Sequence, residues 1–391
     1  MNELAVAQGL TWPLISSFVF FWGVGVLALR SSLGLSTAVI VATLKSLLVL
    51  SYFTIWSDGS WFIGGDDNSY FNTGLRLLES GNNPLEVWFS PVGRHHLVEH
   101  PIIAGYHWWN MLWMYFFGPE YGVVVMANMA TTFLSGIFVY KIAQELGCKG
   151  SYAAALCIFF LLHWDVLAWS SFLNIKEPLV AALISINIWA FLKLEKGQWW
   201  AAGPYLLALA ALLWIRFYIP ALLIGAAAAY LFIFSQRRLL LLPVISLGLG
   251  VVLWKYWVTL SLVERLVVFD LQVFVRHFAK AVWSPLPWNV TDPALYIVVS
   301  SALNLIARPL GILAIFLVFY LNQVRSVAFI GLVLLAGYVF YSLVPPIASA
   351  RHLAPFNWLL IAFEFHIGWV LFDQFRRRSG LKNISTQSHL L

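Results

Sequence analysis

Apolar runs of about 20 residues, each long enough to cross a hydrocarbon core of roughly 30 Å, recur from one end of this chain to the other. Read as helices, they fall at 12–29, 37–56, 121–140, 152–171, 178–193, 199–215, 218–234, 240–258, 305–322, 327–345 and 356–373, about eleven transmembrane helices. The pattern predicts an all-α polytopic membrane protein. Short alternating strands separated by turns, the mark of an outer-membrane barrel, do not occur in it. One more apolar stretch, 102–117, is crowded with Trp, Tyr and His. It reads as an interfacial or re-entrant helix rather than a span.

Composition agrees with the pattern. Charged residues are 10% of the 391 and apolar plus aromatic residues 61%, whereas soluble domains carry roughly one-quarter charged residues. A soluble fold could not hide so much apolar surface. The two cysteines, Cys148 and Cys157, cannot build a disulfide framework or a zinc site. Glu3 and no basic residue precede the first apolar run. The positive n-region of a cleavable signal is therefore missing, and 12–29 reads as a retained span. The net charge of +6 is explained by membrane orientation. No basic run interleaved with exposed aromatics suggests a nucleic-acid groove.

When the spans alternate, Arg30, Lys141, Lys149, Lys193, Lys196, Arg237, Arg238, Arg325 and Arg376 to Arg378 gather on one side. By the positive-inside tendency that side is cytoplasmic, with the N-terminus outside and the C-terminus inside. The polar segments 56–101, 259–304 and 345–355 then lie outside. The expected organisation is a single membrane domain over 1–378, with external loops 56–120 and 259–304, and a flexible cytoplasmic tail at 379–391.

Candidate chemistry clusters in those outer segments. The pair Asp66 and Asp67 follows a double glycine and opens an amphipathic pattern in which Phe71, Leu75 and Leu78 share a face. Asp is a favoured N-cap, but capping needs only one of two. Adjacent carboxylates at a membrane edge also suit a general base or a divalent cation. Arg94, His95 and His96 follow a Pro-Val-Gly turn and suit a phosphate better than a metal. In Lys176-Glu177-Pro178, the Pro and Glu fit a helix start. A lysine at that positive helix end gains nothing locally and points to an anionic partner. Arg216 sits in a tight turn and Arg308 before a proline. Arg351-His352 opens the last apolar run with a guanidinium able to grip phosphate in bidentate fashion. Lys45, His163, Asp165, Glu364 and His366 lie at membrane depth; Lys45 reads as snorkelling to the inner interface and the others first as interhelical contacts, with Asp165 the one expected to line the outer cavity.

The stretch GGDDNSYFNTGLRLLESGNNP, with its Asp pair, Tyr70 and Asn-Pro, together with SARHLAP before the last span, resembles the GT-C superfamily of membrane glycosyltransferases. The extra N-terminal span and His352, where Tyr is common in the family, depart from its pattern. The resemblance implies a GT-C-like fold and transfer of a sugar or oligosaccharide from a polyprenyl-phosphate or pyrophosphate carrier. The acceptor would be a glycan, lipid or protein on the outer face of a bacterial inner membrane. Asp67 would be the catalytic base with Asp66 as its support. Arg351, Lys176, Arg216, Arg308 and Arg94 would hold the lipid phosphate, and His95, His96, Tyr70, Glu177 and His352 would contact substrate. The cofactor is left open, a divalent cation being the candidate. NIKEP with the following RFY also resembles membrane proteins of surface-polysaccharide clusters, including repeat-unit polymerases that rely on external arginines. A flippase of lipid-linked sugars is the third reading. Charge concentrated on one side, rather than at a midplane reachable from both, favours an enzyme over it.

Overall fold

The structure is a computed structural model describing residues 10–56, 66–81, 83–234, 270–283, 285–290, 297–320, 326–344 and 350–378, with positions 243, 246 and 250. All regular structure among the described residues is helical. Every predicted run falls on helix, 152–171 on two of them, except 240–258, of which only positions 243, 246 and 250 are among the described residues; the 379–391 tail lies outside them. Among the described residues six helices are long and apolar enough to cross a membrane, or seven if one bent pair counts as a span. The apolar helices at 199–215, 219–233 and 327–343 fall short of that length. The described residues are all-helical, with the long apolar helices of an integral membrane protein.

The helices follow in order. They are α1 (Trp12–Leu33), α2 (Leu35–Ser51, continued by a π-helical turn Tyr52–Trp56), α3 (Asp66–Glu79), α4 (Pro91–Glu99), α5 (Ala104–Phe117), α6 (Tyr121–Glu145), α7 (Gly150–Leu162), α8 (Trp164–Ser170), α9 (Glu177–Glu195), α10 (Ala202–Ile215), α11 (Ile219–Ile233), α12 (Leu271–Trp283), α13 (Val298–Tyr320), α14 (Val327–Leu343) and α15 (Ala350–Arg378). Helices α6 and α9 pack along each other at the centre. Both are apolar nearly all round, as helices enclosed by other helices must be. The α1–α2 pair lies against α6, α10 against α9, and α15 against α9 and α13.

The parallel course of α6 and α9 defines two ends. At the far end Glu145 pairs with Lys193 and Lys196. At the near end stand Tyr121 and Glu177, the first residues of α6 and α9. There the predicted amphipathic helix α3 lies flat on α5. Gly74 permits the approach, because a Cβ on it would stand 2.6 Å from the Cβ of Asn110. The 102–117 stretch is confirmed as a helix, α5, too short to span.

Expectation and structure part at the predicted span 152–171. It is two helices, α7 and α8, bent by 46°. His163 makes the break: its ring nitrogen accepts the Asp165 backbone N–H, capping α8. Lys45 does not reach for an interface. Fully buried, its ammonium donates to the Leu161 carbonyl at 3.0 Å, serving a carbonyl that the break leaves without a helical partner. Asp165 is likewise buried rather than cavity-lining, and accepts from Ser300 and Asn304. His163 bonds Glu364, and His366 bonds Tyr152.

Candidate functional site

Four segments remote in sequence converge at the near end. Asp66 and Asp67 stand in the first turn of α3, Lys176 and Glu177 at the start of α9, Arg216 in the turn between α10 and α11, and Arg351 in the first turn of α15. The helix starts explain the placement. Pro178 at the second position of α9 fixes its first turn without removing a hydrogen bond the helix needs, and this presents Glu177 and Lys176 together.

Glu177 is the hub. Its carboxylate accepts from Arg216 at 2.5 Å and lies 3.6 Å from Arg351 Nε, with Glu177 and Arg216 almost wholly buried. Arg216 also donates to the Tyr341 hydroxyl and the His352 carbonyl. Tyr218 and Tyr341 share a hydrogen bond beside it. Arg351 reaches outward as well and donates to Asp66 at 2.5 Å. Two polar atoms in this cluster, Glu177 Oε2 and Arg351 Nε, are buried without a hydrogen bond among the described residues. An N–H donor and a carboxylate oxygen acceptor are thus left open in the recess, where native structures satisfy nearly all such atoms.

The two aspartates have different surroundings. Partial burial works against charge on Asp66, but the hydrogen bond and positive charge of Arg351 outweigh it and hold the carboxyl below the usual carboxylate range. Asp67 is 5% exposed. Burial raises its pKa and the hydrogen bond donated by the Tyr121 hydroxyl offsets only part of this. That hydroxyl accepts the backbone N–H of Asn174, while the Asn174 side chain bonds the Asp67 carbonyl, Asn110 and Tyr106. Asp67 is therefore the outermost member of a buried network that ties α3 to α5, α6 and the α8–α9 connection.

Lys176 is 8% exposed. Its ammonium lies 5.2 Å from the ring centroid of Tyr70, a cation–π contact. Burial, then the neighbouring charge of Arg216, lowers its pKa to about 7. Behind Tyr70, His107 packs against that ring and lies 3.0 Å from His96, with His100 tilted against His96 and edge-on to His107. Burial keeps His96 and His107 neutral, lowering them to about 4 and about 2.

Of the residues singled out by sequence, Asp66, Tyr70, Lys176, Glu177, Arg216, Arg351 and His352 come together, with Asp67 immediately beneath. The rest do not join them. Arg94 is exposed and donates to the Phe89 carbonyl of its own turn. His95 is exposed and pairs with Glu99. His96 turns inward to His107. Arg308 was expected at a helix end, but α13 begins at Val298, so Arg308 lies well inside the helix. It is buried and faces Asp165 at 3.7 Å. Among the described residues no three His, Cys, Asp or Glu side chains converge as a metal site.

Sequence reading passed over Tyr121, Asn174, Tyr218, Tyr341 and His107. Only the polar residues inside apolar helices, Asn110 and Asn128 with Asn174 close by, carried a signal. Such groups in a membrane helix need partners.

Beside the cluster lies an apolar cavity of about 570 Å³, walled by Trp88, Trp108, Trp109, Leu179, Trp214 and Ile215 among others. Leu179 is two residues from Glu177, and Ile215 adjoins Arg216. A charged recess and an apolar cavity thus share α9 and the end of α10. Comparison with protein-family models, curated proteins and solved structures finds no match to this chain.

Proposed function

We propose that the near-end cluster transfers a sugar or oligosaccharide from a polyprenyl-phosphate or pyrophosphate carrier to a glycan, lipid or protein acceptor. The reaction belongs to cell-surface glycan assembly on the outer face of a bacterial inner membrane. In this reading the chain is a GT-C-like glycosyltransferase and the apolar helices complete about eleven crossings. One observation carries the proposal: Arg216 and Arg351 converge from distant segments on the Glu177 carboxylate, with Lys176 beside it, and two polar atoms there have no hydrogen bond among the described residues.

The chemistry follows from that arrangement. A phosphate entering the cluster meets Arg351, while Arg216 is held behind it by Glu177 and Lys176 stands alongside. Fixed cations at the breaking glycosidic carbon–oxygen bond stabilise the negative charge that collects on the departing phosphate. Glu177 keeps the two guanidiniums close despite their repulsion, so they need not reorganise as that charge develops. The carrier's hydrocarbon tail runs into the adjoining Trp-lined cavity, and the acceptor approaches past the partly exposed Asp66. Displacement from the face opposite the phosphate inverts the anomeric centre.

The sharing of Glu177 by Arg216 and Arg351 also supports a second reading, a repeat-unit polymerase working through its arginines. Purified protein given defined polyprenyl-linked donors and acceptors tests both. Single-sugar products with release of carrier support the transferase, and ladders of repeat units support the polymerase. Carrier that crosses the membrane of a vesicle with its sugar intact overturns both in favour of a flippase.

A further inference from the structure

An inverting displacement requires a group that takes the acceptor's hydroxyl proton, and within the proposed reaction the structure narrows the candidates. Asp67 lies under the cluster with its carboxylate engaged by Tyr121, a contact that also fixes Asn174. Asp66 is bonded to Arg351 and held as a weak base. Glu177 is occupied by Arg216 and flanked by Arg351. Tyr70 is buried, and burial with the nearby carboxylates raises its hydroxyl far from a useful range. Lys176 is different. Its Nζ has no hydrogen bond or ion pair among the described residues, and an aromatic face rather than a carboxylate lies beneath it.

We propose that Lys176, as the neutral amine, is the proton acceptor of this site. The step rests on the glycosyl-transfer reading and balances within it. The acceptor O–H proton passes to the Nζ lone pair while the acceptor oxygen bonds the anomeric carbon. The bond from that carbon to the carrier's phosphate oxygen breaks, its electron pair leaving with the phosphate. The lysine ammonium formed on the acceptor side then returns the proton to water. Charge in the recess is thus conserved through the step, with a proton gained on lysine as negative charge moves from acceptor to phosphate.

The groups facing Lys176 support the assignment. Asp66 and Tyr70 approach from α3, His107 from α5, Glu177 from its own helix, Arg216 from the α10–α11 turn and Arg351 from α15. The two guanidiniums and burial disfavour the ammonium, and the two carboxylates and the face of the Tyr70 ring favour it. The balance lies near neutrality, at about 7, where a general base is most effective. A phosphate anchor would instead gain by staying charged throughout.

The test uses full-length protein in lipid nanodiscs and reads two quantities. The first is the pH dependence of trace acetylation of Lys176, followed by mass spectrometry from about pH 5 to about pH 10. Expected is a midpoint near 7; a lysine unreactive until above about pH 9 overturns the proposal whatever the substrate. The second is the pair Lys176→Arg and Lys176→Met, compared by kcat and KM. Arginine keeps the charge but cannot give up its proton. Expected for Lys176→Arg is a KM close to wild type and a kcat lower by about 10²–10⁴-fold, without the acid limb of the wild-type profile. Wild-type kcat in Lys176→Arg overturns the proposal and leaves the lysine a charge only. A wild type that transfers nothing from any polyprenyl-linked donor removes the glycosyl-transfer reading itself, and with it the proton-acceptor role; the acetylation midpoint then reports only the charge state of the lysine.

Discussion

Arg351 and Asp66 stand 285 positions apart in sequence and meet at 2.5 Å. The contact joins the first turn of α15 to the first turn of α3, closing the near end of the bundle over Glu177. Both residues are only partly buried, at 22% and 56% side-chain exposure. Solvent therefore screens the pair, and its value lies in placing the guanidinium more than in stability.

Arg351→Ala should accordingly fold and lose lipid-linked transfer by about 10²–10³-fold, the size of effect seen when one preorganised charge-stabilising donor is removed. Arg351→Lys should recover only part, because an ammonium cannot make the paired hydrogen bonds of a planar fork. Turnover and KM at matched protein levels check this. An alanine variant indistinguishable from wild type would take Arg351 out of the phosphate site.

Glu177 invites the opposite expectation. It and Arg216 are buried to within 1–2%, and removing one member of a buried pair typically costs about 3–5 kcal/mol, because the other charge is left without compensation. Glu177→Gln should therefore be recovered in low yield with a depressed Tm. Adding Arg216→Gln should restore part of the loss, since the two residues act as one unit. Simple additivity in thermal unfolding of the single and double variants would show that Glu177 is not the hub described.

The aspartates should separate by pH. Asp66 has its folded pKa lowered. Its stabilising contribution is present above the unfolded carboxylate value, about 3.9, and is lost as pH falls through the folded value below it. Asp67 has its folded pKa raised, so its contribution is present below about 3.9 and lost as pH rises through the folded value. At neutral pH, Asp67→Asn should leave Tm unchanged or higher and retain most activity, because an amide oxygen still accepts from Tyr121. Asp66→Asn should lower activity and flatten the acid limb of the Tm profile. This reverses the ranking drawn from sequence. Melting curves at about pH 4 and about pH 7, with transfer assays on both variants, decide between the orders.

How much of this was legible depended on the range of the interactions. Hydrophobic periodicity is local, so the helices could be read from it, α3 and α5 included. The residues of the cluster were legible one by one, because an ion at a membrane edge stands out against an apolar background. Their roles were not. That Asp67 faces Tyr121 rather than the recess depends on how α3 rotates on α5, which Gly74 and Asn110 set through a contact across sequence. Arg308 was misplaced because the polar-looking beginning of α13, with Ser300, Ser301 and Asn304, reads as loop. Those side chains in fact face Asp165 or bond their own helix. The break at His163 was hidden for a similar reason: an apolar run continues across it while the backbone does not.

The sidedness of the cluster is the last prediction, and everything proposed for it depends on the result. Leu85, between α3 and α4, is 77% exposed and belongs to the near-end segments. Lys196 lies at the far end with Glu145. The basic connectors that should face the cytoplasm include Lys193 and Lys196, so the near end should face outward. In a variant with Cys148 and Cys157 replaced, a cysteine substituted for Leu85 should react with a membrane-impermeant maleimide on intact cells. One substituted for Lys196 should react only after permeabilisation. The reverse pattern would turn the charged recess toward the cytoplasm. Donors would then have to be presented on the inner leaflet, and a reaction on the outer face would lose its physical basis even if Lys176, Arg216 and Arg351 all proved essential.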